Sequence, residues 1–550
     1  MNLARTSHQL STAADDASYP AVFSRLGVLN VLQSSPVRPK ARKPAWPRRL
    51  VALVTRPGEK RGLGERHAQD RGVLILVGCL VVAAALRFFH LDFQSLWLDE
   101  LFSVVFSHSD LGLSQVAAAY ADDVHPLGYP LLLHWWLGFF GDTELVARAL
   151  SAVFGVLGVA AMYAAGRWCF DLRTGVVAAV LTTVNWFHIA YSQEARAYSL
   201  VFLLAALSNW AFIAVVGRPG WGTAVFYGLA TAAAIHVHYY GFVALFGQLA
   251  VALVMPLLGR WGWRRLWALL AGAAGAALTV LPWIGPLVRV AGLREAWPAM
   301  PKPFFFLEYF HEYFGKLLTL SVVFGILLVA LPFLLRAETP GNPKAGRLST
   351  RTTAGLLGGA AAISLLAAYL RSVLVVPMLV PKVTIVFLPV LLWLIALAIS
   401  RLSPAWLRIV VVSGVAALSL VGLFRGGYYS EPSKEQWREA VQYMVSAPDF
   451  DPAVDVCLAT LAPGFQYYVD RSQTVLRVEE ADPQRLLAAV NGRPDVPQVW
   501  LLVARDEDAV RPLRQELSRE WVRKDRVEFL ETSVERWEPE VATEEGPHGP

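Results

Sequence analysis

Several apolar runs of about 17–25 residues, each long enough to cross a bilayer as a helix, lie between residues 72 and 424 and are separated by short polar loops. Lipid tolerates only helices and closed barrels, so the pattern predicts an α-helical polytopic membrane protein. Spans are expected near 72–89, 146–166, 176–190, 197–216, 221–235, 240–258, 266–290, 317–335, 354–370, 383–400 and 409–424, about 11 in all. A further apolar segment, His125 to Phe140, is short and is interrupted at its start by Pro126, Gly128 and Pro130. Counting it as a span would put Arg167 and Arg173 outside, so it is expected to lie in, or dip into, the outer leaflet. The loop from Leu293 to Lys316, dense in aromatics and Pro, is expected to rest at headgroup level. Beyond Phe424 the pattern changes. Strand-like runs (456–460, 474–478, 498–504) alternate with helix-like runs (434–445, 483–490, 510–520), as in a small α/β domain.

Charge orients this array. Residues 91–124 hold six acids and no Lys or Arg, which places them outside; the basic loops around Arg167 and Arg173, Arg260 to Arg265, and Arg401 to Arg408 are inside. The domain at 426–550 then lies outside. Residues 1–70 lack a sustained apolar period. Between Arg38 and Arg71 there are eleven Lys or Arg against three acids, as in a disordered cytoplasmic arm against anionic headgroups. The transmembrane domain is thus 71–425. A hydrophobic share of 55% with only 17% charged residues excludes an ordinary soluble protein. The net charge of +6 belongs to inside loops and the arm, not to nucleic-acid binding. Cys79, Cys169 and Cys457 cannot build a disulfide framework and are expected to be structural.

Polar residues collect at the outer ends of the spans: Asp99 and Glu100; Asp122, Asp123 and His125; Glu194, Arg196 and Tyr198; His236, His238, Tyr239 and Tyr240; Arg371 and Lys382. If the helices bundle, these edges meet in one outward cavity. A carboxylate there can deprotonate a hydroxyl or amine, Arg and Lys can neutralise a phosphate leaving group, and the flanking spans offer a groove for a lipid tail. The run Leu96-Trp97-Leu98 is expected to shield Asp99 and, by partial burial, to make it a stronger base than a solvated aspartate. Two acids do not make a divalent-metal site without further ligands, so no cofactor is expected and a metal at Asp99 and Glu100 is weakly supported. A transporter or flippase of lipid-linked glycans would need such charges at the bilayer midplane. A non-catalytic scaffold would tolerate loss of Asp99.

The ordered string Arg87, Leu96-Trp97-Leu98-Asp99-Glu100, His125-Pro126-Leu127-Gly128-Tyr129, Phe140-Gly141-Asp142-Thr143-Glu144 with Arg148, Tyr191-Ser192-Gln193-Glu194-Ala195-Arg196-Ala197-Tyr198 and His238-Tyr239-Tyr240 resembles the C-type membrane glycosyltransferases. It looks closest to bacterial relatives of the protein O-mannosyltransferases and the lipid A aminoarabinose transferase. The resemblance covers roughly residues 72–400. It implies transfer of a hexosyl or pentosyl group from a polyprenyl-phosphate donor to a lipid, glycan or protein acceptor at the outer face of a bacterial cytoplasmic membrane. It also implies inversion at the anomeric carbon. Asp99, Glu100 and Glu194 would be catalytic; His125, Arg196, Tyr198, His238, Tyr239, Arg371 and Lys382 would bind substrate. Leu127 stands where the family usually has a second Pro, and Lys382 where many relatives have Arg-Tyr.

Overall fold

A computed structural model describes residues 63–540 except 122, 260, 293–297, 337–347, 473, 485, 487–495, 505–507 and 509. The expected arm falls almost wholly outside the described residues, as do Asp122, the start of the 293–316 loop and part of the 483–490 run.

Each of the eleven expected spans falls on helix. Among the described residues, eight helices are long and apolar enough to cross a membrane: 67–88, 144–169, 198–217, 240–257, 318–336, 350–374, 381–401 and 405–425. A ninth follows if Trp263–Leu278 and Leu281–Gly292, bent by 46° at their junction, form one span. The other two positions hold the shorter apolar helices Leu172–Val184 and Trp221–Val237. Leu172–Val184 stops where Asn185 turns extended and caps the next short helix, Trp186–Ala190, by accepting the His188 N–H. The segment after His125 forms a 13-residue helix, Gly128–Phe140.

Two spans are central. About four-fifths of the apolar windows of 198–217 and 381–401 are buried within the protein, whereas 67–88 and 405–425 turn most of theirs outward. In lipid, close helix contact depends on small residues at the crossing points. Gly155 is such a point: a Cβ there would fall 2.3 Å from Ser192 Oγ, so the absence of a side chain lets the 191–197 loop sit against helix Glu144–Cys169. Arg87, at the end of the first helix, is also buried. Its guanidinium donates to the carbonyls of Ala83, Thr182 and Thr183 and to His188 Nδ1 at 2.7 Å. Gln193 then caps the same helix end by donating to the carbonyls of Arg87 and Phe89.

The C-terminal domain is a five-stranded mixed sheet in the order β2-β1-β3-β5-β4. β1 (Val456–Ala459), β2 (Val478–Glu480) and β3 (Val499–Ala504) are parallel, and β1 and β3 are apolar throughout because both their faces are covered. β4 (Trp521–Phe529) and β5 (Thr532–Pro539) form an antiparallel hairpin that adds to β3. The three cysteines are buried and none forms a disulfide, and Cys457 packs its sulfur 3.7 Å from that of Met444.

Candidate active site

The acidic pair begins the helix Leu98–Phe106. Successive helical residues point about 100° apart, so Asp99 and Glu100 face different surroundings. Glu100 is fully buried. Its Oε1 accepts from Arg148 Nε at 2.8 Å and from the Ala195 N–H at 2.7 Å. Its Oε2 accepts from Arg148 at 2.7 Å, from Lys434 Nζ at 3.1 Å and from the Trp97 N–H at 3.3 Å. Burial alone would raise its pKa, but Arg148 and Lys434 more than offset it and hold the carboxyl at about 2. Arg148 also donates to the carbonyls of Leu91, Gln94 and Ser95, so one fork fixes the whole approach to the acidic pair. Every oxygen of Glu100 is occupied. The geometry makes it the anchor of the loop, whereas the sequence reading had grouped it with Asp99 as catalytic.

Asp99 is only partly buried. Its Oδ2 receives Lys382 Nζ at 2.9 Å and lies 3.9 Å from Arg196. Lys382 arrives from the start of a central span and sits over the Trp97 ring, 5.0 Å from its centroid. The shielding expected of the Leu-Trp-Leu run does not make Asp99 more basic. Burial does push its pKa up, but Arg196 and Lys382 outweigh that push and hold it below the usual aspartate value.

Arg196 ties its own loop to the helix Leu98–Phe106 and to the His125 segment. It donates to Asp99 O at 3.0 Å, to Ser103 Oγ at 2.9 Å and to His125 Nε2 at 2.9 Å. Arginine has no acceptor, so His125 Nε2 is unprotonated and Nδ1 carries the proton. That proton points at Asp123 Oδ1, 2.6 Å away. The result is a continuous polar chain, Asp123–His125–Arg196–Asp99–Lys382. His238 stands beside it, its ring 5.9 Å from His125 and 6.1 Å from Tyr198. Burial, assisted by His125 and Arg196, lowers its pKa to about 3, which keeps it neutral.

Glu194 differs from both acids. Its Oε1 lies 3.8 Å from Lys434 Nζ, while its buried Oε2 has no partner among the described residues. Burial dominates there, Lys434 opposes it and Glu100 adds to it; the pKa rises to about 7. Tyr198 is buried beside Tyr191, and its hydroxyl also has no hydrogen-bond partner among the described residues. The remaining expected residues spread outward. Tyr239 accepts from Trp283 Nε1, His236 faces Thr279, and Arg371 bonds the Ala291 carbonyl rather than the Asp99 cluster. Among the described residues no group of three or more His, Cys, Asp or Glu side chains is so placed that it could hold a metal ion.

The C-terminal domain supplies contacts that the sequence reading missed. Glu435 accepts the Leu98 N–H at 2.6 Å and, through its carbonyl, the Ser95 hydroxyl. Ser433 N donates to Gln94 Oε1 at 2.7 Å, and Arg438 bonds Glu144 and the Asp92 and Phe93 carbonyls. Tyr468 accepts from the Leu96 N–H and donates to Glu144. These residues lie more than three hundred positions from the loop they hold. The only sequence signal was the charge run at the foot of helix Trp437–Val445.

A family model described as dolichyl-phosphate-mannose-protein mannosyltransferase matches residues 124–285. Among solved structures, ArnT from Cupriavidus metallidurans in the apo state superposes with a TM-score of 0.55 at 16% identity, covering 86% of this chain and 98% of that one. The same protein bound to undecaprenyl phosphate gives 0.54 at 17% identity, covering 86% and 99%. No curated protein sequence matches the chain.

Proposed function

We propose, from the fold of a C-type membrane glycosyltransferase and the Asp99–Lys382–Arg196 cluster at the ends of its apolar spans, that this protein moves a sugar from a polyprenyl-phosphate donor to an acceptor. The observation that carries the reading is a carboxylate gripped by two cations, with Lys382 Nζ at 2.9 Å from Asp99. The undecaprenyl phosphate bound to the ArnT relative supports a lipid-phosphate donor. The acidic loop at 91–124 and the basic loops on the other side support an active centre at the outer face of a bacterial cytoplasmic membrane.

In this reading the lipid phosphate takes up Lys382 and Arg196. Drawing Lys382 toward the phosphate removes the charge that depresses Asp99, so donor binding makes Asp99 a better base. The acceptor oxygen or nitrogen attacks the anomeric carbon, its proton passes to Asp99, and the bond from that carbon to the phosphate oxygen breaks. The polyprenyl phosphate leaves as an anion and needs no strong general acid. Attack opposite the leaving group inverts the anomeric centre. Arg196 is held at its angle by His125, Asp123 and Ser103. Tyr198 and His238 line the centre as polar groups for sugar hydroxyls. Glu100 holds the loop, and Glu194, its pKa raised by burial, is a second proton acceptor.

Loss of the Lys382 ammonium is expected to weaken binding of undecaprenyl phosphate by about 10- to 150-fold, since a charge-assisted phosphate contact contributes about 1.5–3 kcal/mol. Lys382→Arg should keep part of it. Titration of detergent-purified Lys382→Ala with undecaprenyl phosphate checks this, and an unchanged affinity would move the phosphate site elsewhere. Orientation is tested separately. A cysteine at exposed Asp110 should be labelled by an impermeant maleimide in intact cells, and one at exposed Arg173 only after permeabilisation. Labelling of Arg173→Cys in intact cells would invert the assignment of faces.

A further inference from the structure

The acidic centre is completed from outside the membrane array. Lys434 precedes helix Trp437–Val445 of the C-terminal domain, and its ammonium reaches Glu100 Oε2 at 3.1 Å and Glu194 Oε1 at 3.8 Å. This reach is not that of a loose surface lysine. The side chain is about five-sixths buried, and the residues on either side of it are hooked to the acidic loop, Ser433 to Gln94 and Glu435 to the Leu98 N–H. Arg148 already satisfies Glu100 through two hydrogen bonds, so Glu100 needs no second cation. Glu194 has no hydrogen bond to its Oε2 among the described residues, and Lys434 lies within ion-pair distance of its Oε1.

We propose that Lys434 is a positioning residue of the active centre: by bridging Glu100 and Glu194 it places the Glu194 carboxylate and sets how readily that group gains a proton, so that the centre is complete only with the C-terminal domain docked. The proposal rests on the transferase reading for its functional meaning, but its test does not. The groups facing Glu194 are the cations Lys434 and Lys382, the acids Glu100 and Asp99, and the phenols Tyr191, Tyr198 and Tyr428. Glu194 is raised to about 7, with Lys434 the largest influence pulling it down. Taking away a positive charge destabilises the carboxylate, so loss of Lys434 moves the proton-binding midpoint upward.

The measurement is an infrared pH titration of the full-length protein in detergent, following the protonated-carboxyl band assigned to Glu194 by its disappearance in Glu194→Gln. Lys434→Met should raise the midpoint by about one pH unit or more, the scale of an opposite charge within ion-pair range. Lys434→Arg should keep it near the starting value. Arg438→Met should also leave it in place, because Arg438 docks the same segment onto Glu144 without touching Glu194. Lys434→Gln reads the same way as Lys434→Met should the latter not survive purification. An unmoved midpoint in Lys434→Met, or an equal shift in Arg438→Met, overturns the proposal. A protein that shows the shift but neither binds undecaprenyl phosphate nor transfers sugar overturns the transferase reading and leaves the Lys434–Glu194 linkage standing. Binding without the shift overturns the linkage alone.

Discussion

Asp99→Asn is expected to cut sugar transfer by about 10²–10⁴-fold while leaving the protein folded and inserted. The substitution keeps the size of the side chain and its ability to hydrogen-bond, but removes the charge and the proton-accepting power. Folding should survive because Asp99 is partly exposed and Arg196 is held chiefly through the Asp99 carbonyl, Ser103 and His125 rather than through the carboxylate. The control is Asp92→Asn, seven residues earlier. Its backbone carbonyl docks Arg438, whereas its side chain is exposed, so transfer should be nearly unchanged. The comparison is made as initial rates per folded protein at saturating donor. Normal transfer by Asp99→Asn would remove Asp99 from the chemistry and leave Glu194 as the next acid to examine.

Glu100→Gln should fail in a different way. It leaves Arg148 fully buried with its counter-charge gone, and breaking one side of a buried ion pair costs about 3–5 kcal/mol. The amide nitrogen cannot accept, so in either orientation one arm of the Arg148 fork loses its partner, together with the Ala195 N–H or with Lys434. The expected outcome is a large drop in detergent melting temperature and in the monodisperse fraction, not a folded, inactive enzyme. The pH dependence carries the same sign. Glu100 is held at about 2 against 4.5 when unperturbed, so its contribution is complete above about pH 4.5 and is lost as pH falls toward 2. A Glu100→Gln protein as stable as the wild type, yet inactive, would return Glu100 to the catalytic set.

The contrast between these neighbours marks where sequence stopped being informative. That an acid pair stood after the first span was plain from the charge pattern. Which acid stayed partly open depended on where Arg148 and Lys434 approach Glu100, and those residues lie 48 and 334 positions away. The effect of burial on Asp99 was misjudged for the same reason: the apolar run beside it is local and visible, but the two cations that outweigh it come from the 191–197 loop and from the start of another span. His125, Arg196 and Lys382 were each singled out, and the structure joins them into one chain because the helix ends that carry them meet.

The spans were legible because lipid enforces a long apolar period on each helix. Leu172–Val184 and Trp221–Val237 were found despite their length because basic residues mark the inner end of each, Arg167 and Arg173 for the first and Arg218 for the second. The β4–β5 hairpin was not found. β4 is an edge strand with one exposed, charged face and therefore lacks a clean apolar alternation. Its turn at Leu530-Glu531 uses Glu531 at φ 53° rather than the Asn-Gly or Asp-Gly pair that announces such a turn in sequence.

The central claim is the use of a polyprenyl-phosphate sugar, and mass spectrometry of the cell envelope tests it most directly. Lipids, glycans and proteins are compared from cells with the gene, without it, and without it but carrying the Asp99→Asn form. The account predicts that one sugar modification disappears in the deletion and in the Asp99→Asn strain, that a polyprenyl-phosphate sugar accumulates in both, and that the intact gene restores the first and clears the second. An envelope unchanged in every glycosylated component, with no build-up of lipid-phosphate sugar, would contradict it.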